Sequence, residues 1–248
     1  MSSQATQSPD RLAFRAFAVL RRNLEIGGLL LLAAVVLAVW GVAELTDEVL
    51  EGATRSLDRD ILLALRTEGD LSDPIGPRYF EEMGRDLTAL GGTVVITGAT
   101  VLAAGFFLIR GSFSSMVFLL VATGGGIAIT GIAKQVFDRP RPDLVPHESI
   151  VYTASFPSGH SMMAAVAYLT LGVLIARVLP QRRQKIYVLS VAVILTLAVG
   201  ISRVYLGVHW PTDVAAGWLA GAGWAVLCVL VAHLLSRRGH VEAHVCED

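Results

Sequence analysis

Charge is scarce in this chain: only 17% of its 248 residues are charged, against roughly 25% in ordinary soluble domains. That excludes a conventional solvated surface over most of the molecule. Cysteine is nearly absent. Cys228 lies inside an apolar run and Cys246 near the C-terminus, a pair that makes neither a disulfide framework nor a zinc-ligand spacing, so both read as unpaired thiols. The formal net charge of −1 says nothing about partners, because the charges are segregated by loop, and no basic block suggests nucleic acid. The one asparagine, Asn23, stands outside any glycosylation sequon.

What the chain has instead is apolar sequence, 54% of its residues, with a mean hydropathy of +0.61. Several runs approach the ~20 residues that a helix needs to cross a bilayer core. They are Ile26 to Ala43, Leu87 to Ile109, Phe113 to Ala133, Ser161 to Leu179, Ile186 to Ile201 and Val214 to Leu235. The expectation is an all-α polytopic membrane protein with six transmembrane helices. Residues 1–24 then form a cytoplasmic N-terminal segment, 25–236 the six-helix domain and 237–248 a cytoplasmic tail. A basic start followed by an apolar run also fits a signal peptide, with Gly41-Val42-Ala43 as a loose cleavage site. The run exceeds the ~7–15 residues of a signal core, so a retained first helix is expected.

Between the first two runs, Glu44 to Asp86 is a long acidic connection. Leu57, Ile61, Leu62 and Leu65 recur in it at helical spacing between charged residues. That predicts a short amphipathic helix, lying on the membrane surface or simply solvated in the loop. Gly124-Gly125-Gly126 reads as a packing face, because small residues let membrane helices approach closely.

Orientation follows from the loops. Arg11 to Arg22, Arg110, the Arg182-Arg183-Lys185 cluster and Arg237-Arg238 all fall on one side under a six-helix count, and short basic loops stay cytoplasmic. Both termini are then cytoplasmic. Three polar islands fall together on the opposite face: Lys134 to Pro142, Pro157 to His160 and Ser202 to Asp213.

These islands carry the chemistry. Lys134, Arg141 and Arg203 gather three cations, and guanidinium groups match phosphate oxygens in bidentate fashion. His160 and His209 offer a proton donor and a nucleophile. Asp213 follows His209 by four residues, with Pro211 suited to a first helical turn, so it can hold one imidazole nitrogen and leave the other free. Ser158 and Gly159 lead into the fourth run, where a hydroxyl and unsatisfied amides make an anion site. Taken singly, Lys134 or Arg203 reads as an interface anchor. His147, His233, His240 and His244 read as satisfied polar groups, and Arg139 as a loop or substrate-mouth residue.

Jointly, Lys134-x6-Arg141-Pro142, Pro157-Ser158-Gly159-His160 and Ser202-Arg203-x5-His209-x3-Asp213 resemble the three-part signature of the type 2 phosphatidic acid phosphatase (PAP2) superfamily. The resemblance implies that His209 attacks phosphorus to form a phosphohistidine, with Asp213 orienting it. It also implies that His160 protonates the leaving oxygen and later activates water. Lys134, Arg141 and Arg203, helped by Ser158, Gly159 and Ser202, would hold the phosphoryl oxygens. No metal and no other cofactor is expected. The implied partner is a membrane lipid phosphate in the bilayer, such as undecaprenyl diphosphate, phosphatidate, phosphatidylglycerol phosphate, diacylglycerol pyrophosphate or phosphorylated lipid A. The implied location is a bacterial inner membrane, with the active site on its extracytoplasmic face. Vanadium-dependent haloperoxidases share the motif set but are soluble, which six membrane helices oppose. A non-catalytic lipid-binding or transport protein with a relict site would be expected to have lost His160, His209 or Asp213. Oligomeric state is not readable from the sequence.

Overall fold

The computed structural model describes residues 9–143 and 154–237, with side chains over 25–143 and 154–236. His147, His240, His244, Cys246, and the basic side chains of Arg11 to Arg22 and of Arg237-Arg238, lie outside the described residues. The elements run α1 (Pro9–Glu51), α2 (Arg55–Ala64), β1 (Arg66–Thr67), β2 (Asp70–Pro74), α3 (Arg78–Ala89), α4 (Thr93–Ile109), α5 (Phe113–Val136), α6 (Gly159–Val178), α7 (Arg182–Tyr205) and α8 (Pro211–Arg237). β1 and β2 pair antiparallel as a small hairpin.

Among the described residues, five helices are long and apolar enough to cross a membrane, and a sixth crossing is made if α3 and α4 count as one span bent by 46°. The expected second run is therefore broken. Its first residues belong to α3, and Gly91-Gly92 separate α3 from α4. A side chain at Gly91 would sit 2.5 Å from Val199 and 3.0 Å from the His160 carbonyl, so only glycine lets this break press against the start of α6. The first helix also runs past its apolar stretch to Glu51, where Gly52 at φ 77° stops it; a left-handed residue is the usual helix terminator.

The outer faces of the spans carry exposed leucine, isoleucine and valine, such as Leu30, Leu102, Ile109 and Ile194, as a lipid-facing surface requires. Burial concentrates on α6, where Met162, Ala164, Ala165 and Val166 are inaccessible. Small residues make that centre possible. A side chain at Gly125 would strike the Trp224 ring at 2.2 Å, and one at Gly221 would meet the Met162 carbonyl at 2.5 Å. The expected packing face is therefore carried by Gly125 and by Gly126, which meets Val166, while Gly124 faces open space. Gly221→Leu forces α8 off α6, and overpacking of this kind costs ~1–3 kcal/mol or more. A thermal midpoint in detergent lowered by roughly 5 °C is the expected result; an unchanged midpoint would show that the two helices are not in this contact.

The amphipathic helix of the first loop is present as α2. Its inward face rests on protein: Leu62 is fully buried against Val204 and Val214, and Asp58 is buried beside it. Leu57 and Ile61 remain exposed.

Candidate active site

Four helix ends meet on one side of the bundle. Alternating chain direction puts the C-termini of α5 and α7 beside the N-termini of α6 and α8, so the three sequence islands converge. Lys134, Arg141, Gly159, His160, Arg203 and His209 all line one cavity of about 810 Å³.

His209 follows the turn at Gly207, which has φ 71°, and its side chain is 1% exposed. Its Nδ1 lies 3.4 Å from Asp213 Oδ2, and its Nε2 lies 3.3 Å from Arg141 Nη1. A guanidinium only donates, so Nε2 is the nitrogen with the lone pair and Nδ1 carries the proton toward Asp213. Burial pushes the His209 pKa down to about 4, the Arg203 and Arg141 cations acting the same way and Asp213 against them. The ring is accordingly neutral at pH 7. Arg141 is anchored by donating to the Val208 carbonyl at 2.9 Å. Burial also holds its guanidinium below the usual value.

Asp213 sits in the first turn of α8 and accepts the Trp210 backbone N–H at 3.0 Å, the return half of a capping box. Its other oxygen accepts from Arg139 Nη1. Arg139 Nη2 in turn donates to Asp58 Oδ2 at 2.7 Å. Asp58 also accepts the Thr212 N–H at 3.0 Å and the Thr212 hydroxyl at 2.7 Å, and so caps α8 from a distant part of the chain. Arg139 does sit in the loop after α5, as read, but it turns to these carboxylates and is not among the cavity-lining residues. It bridges two buried carboxylates behind the histidine, with Trp210 alongside at 5.7 Å. No single-sequence signal marks Asp58 for this role, since its segment reads only as an amphipathic helix.

Arg203 lines the cavity and donates from Nη1 to the Thr88 hydroxyl at 3.0 Å. Its Nε is buried without a hydrogen-bond partner. Ser158 is the N-cap of α6 and accepts the Ser161 N–H at 3.4 Å; the first amides of α6, at Gly159 and His160, have no intrahelical acceptor. Ser158 and Ser202 do not line the cavity. Ser158 is buried beneath it, its N–H bonded to the Asp213 carbonyl at 2.9 Å, and the Ser202 hydroxyl donates back to Val199 within α7 at 2.7 Å. Their placement fits holding the site together from behind. His233, expected to be satisfied, packs near Gly28 with its Nε2 buried and unpartnered.

The family model described as "PAP2 superfamily" matches residues 115–237. Phosphatidylglycerophosphatase B of Bacillus subtilis strain 168 is 35% identical over 149 residues, covering 58% of this chain and 70% of that protein. Undecaprenyl-diphosphatase of Sulfolobus acidocaldarius is 38% identical over 77 residues, 31% of this chain and 33% of that protein. Among solved structures, the transmembrane PAP2 type phosphatidylglycerolphosphate phosphatase from Bacillus subtilis superimposes with a TM-score of 0.72 at 28% identity, covering 85% of this chain and 98% of that one.

Proposed function

Because the chain belongs to the PAP2 superfamily of membrane lipid phosphatases, we propose that it hydrolyses a phosphomonoester or diphosphate on a lipid head group through a phosphohistidine intermediate. The observation that carries this reading is the polarity of His209, with Nδ1 turned to Asp213 and the Nε2 lone pair beside Arg141 in a cavity that Lys134, Arg141 and Arg203 line. In the first step the Nε2 lone pair forms a bond to phosphorus. The bond from phosphorus to the leaving oxygen breaks as His160 supplies that oxygen with a proton. In the second step His160 takes a proton from water, water oxygen bonds to phosphorus, and the electron pair of the P–N bond returns to Nε2. Arg141 donates to Nε2 in the resting site; an arriving phosphate oxygen is the better acceptor for it, since charge-assisted bonds to phosphate are the stronger ones. Lys134, Arg141 and Arg203 then stabilise the charge spread over the equatorial oxygens, the work a divalent metal does in other phosphoryl transfer enzymes.

The substrate class we favour is undecaprenyl diphosphate or a phospholipid phosphate, phosphatidate or phosphatidylglycerol phosphate, which the names of the similar proteins support. Arg110, Arg182, Arg183 and Lys185 lie at the helix ends opposite the site. By the positive-inside rule this supports cytoplasmic termini and a cavity on the extracytoplasmic face of a bacterial cytoplasmic membrane. Phosphate release by the purified protein in detergent, with EDTA present, tests the proposal. Release that EDTA leaves intact is expected from at least one of these lipids. Release that EDTA abolishes and Mg²⁺ restores would overturn the metal-independent mechanism, and no release from any of them would overturn the phosphatase.

The lowered pKa of His209 makes a separate prediction. Its imidazole stays neutral as pH falls from 7 to 5 and takes its proton only near pH 4. An NMR titration of histidine-labelled protein checks this, the His209 signal being the one missing from His209→Ala; a midpoint at 6 or above would contradict the burial argument. The unfolded chain takes up this proton near pH 6.5, so the same group contributes stability that is complete above that value and lost as pH falls toward 4.

A further inference from the structure

The cavity is larger, and more cationic, than one phosphate needs. Its floor is the signature trio Lys134, Arg141 and Arg203. Its outer wall is built by the first loop and carries Arg66 from the hairpin and Arg85 from α3. Among the described residues, five cations therefore face this space against one carboxylate, Glu81. A single phosphate brings at most about two negative charges, which offsets about half of that excess.

Both outer arginines lie near groups that position Arg203. Arg66 donates from Nη2 to the Tyr205 carbonyl at 3.0 Å, two residues beyond Arg203 on the same helix. Arg85 lies one turn before Thr88, which accepts from Arg203, and it pairs with Glu81 at 3.3 Å. Arg66 is only 6% exposed and its Nε is a buried donor without a partner, the same condition found at Arg203. Burial holds its guanidinium below the usual value, opposed by Tyr205, Asp73 and Glu81. Keeping a guanidinium in such a place is costly unless an anion compensates it. Ser72 adds a hydroxyl to the same wall.

We propose that Arg66 and Arg85 form a second phosphate-recognising subsite, occupied while the scissile phosphate rests on Lys134, Arg141 and Arg203. This deepens the phosphatase reading and rests on it. The shared chemistry is a tetrahedral phosphate, from either of two sources: the second phosphate of a lipid head group that carries two, or the orthophosphate product on its way out. A diphosphate, or a head group with a phosphodiester and a terminal monoester, matches the first source. Phosphatidate, with one phosphate, does not.

The test uses the full chain in detergent, as wild type, Arg85→Gln and Arg66→Gln. Glutamine at 66 removes the charge but ends short of the Nη2 that reaches the Tyr205 carbonyl, so the tether is weakened along with it. Arg85 is half exposed, so its variant keeps the fold if Arg66→Gln does not. kcat/KM is measured on an isoprenyl diphosphate and on phosphatidylglycerol phosphate relative to phosphatidate, with inhibition by inorganic phosphate measured alongside. A charge-assisted contact accounts for a roughly 10-fold to 100-fold fall in that ratio if the subsite holds the head-group phosphate. An unchanged ratio with inhibition by inorganic phosphate weakened by a similar factor assigns it to the product. If neither the ratio nor the inhibition moves, the subsite is overturned. Equilibrium binding of inorganic phosphate, which needs no turnover, separates this from failure of the phosphatase reading. Two phosphates per wild-type chain and one per variant support the subsite, and one in both overturns it.

Discussion

Replacing His209 with alanine is expected to lower kcat/KM by roughly 10⁵-fold, the scale reached when the nucleophile of a covalent mechanism is removed. The size follows from what the ring does. It is buried, neutral and already in the tautomer that presents a lone pair to the cavity, so no other group replaces it without moving. The phosphate-binding cations are untouched, and binding of inorganic phosphate should persist. Labelled phosphate trapped on the protein by an alkaline quench, under which a phosphoramidate survives, should vanish in the variant. Equal turnover by His209→Ala, or trapped label that persists in it, would remove His209 from the role and favour a protein that binds lipid phosphate without turning it over.

Arg139→Ala is expected to cost ~3–5 kcal/mol of stability, the usual penalty for stripping one partner from a buried ion pair. Here two carboxylates lose their shared cation at once, since Asp58 and Asp213 are inaccessible and both bonded to it. Repulsion between them turns Asp213 away from His209 Nδ1, and a misplacement of ~1 Å costs on the order of 10² in rate. Assayed well below its melting point, Arg139→Ala should therefore show kcat reduced by about that factor, with inhibition by inorganic phosphate unchanged, a split that general unfolding does not produce. Asp58→Asn keeps an acceptor for the Thr212 N–H and should lose less of both. If kcat and phosphate inhibition fall in parallel with stability in the two variants, the bridge is only a staple. If Arg139→Ala is as stable and active as wild type, the bridge is absent in solution.

Much of this molecule was legible without coordinates. Four of the apolar runs correspond to single spans within a few residues, while the first helix runs on to Glu51 and the second run is broken; a bilayer demands length and hydrophobicity, and both are local properties. The three islands were recognisable because candidate catalytic residues at fixed spacing survive as text. Convergence of Lys134, Arg141, His160, Arg203 and His209 on one cavity also follows from counting crossings, since each helix reverses direction.

The first loop was different. Asp58, Arg66, Arg85 and Thr88 lie on no island, 46 to 76 residues before Lys134, the first island residue, and each looks like an ordinary surface residue in its own segment. Only folding shows that α2 turns Asp58 inward to cap α8, that the hairpin delivers Arg66 to the end of α7, and that Gly91 breaks the second run so that α3 can wall the cavity. Ser158 and Ser202 show the converse, since their place in the motif says nothing of whether a hydroxyl faces the substrate or its own helix. Sequence by itself determined the helical membrane class and singled out the candidate reacting groups, because periodicity, composition and motif spacing are written along the chain. The tertiary structure decided which charges are buried together, because an ion pair is set by distance in space and carries no signature in the order of residues.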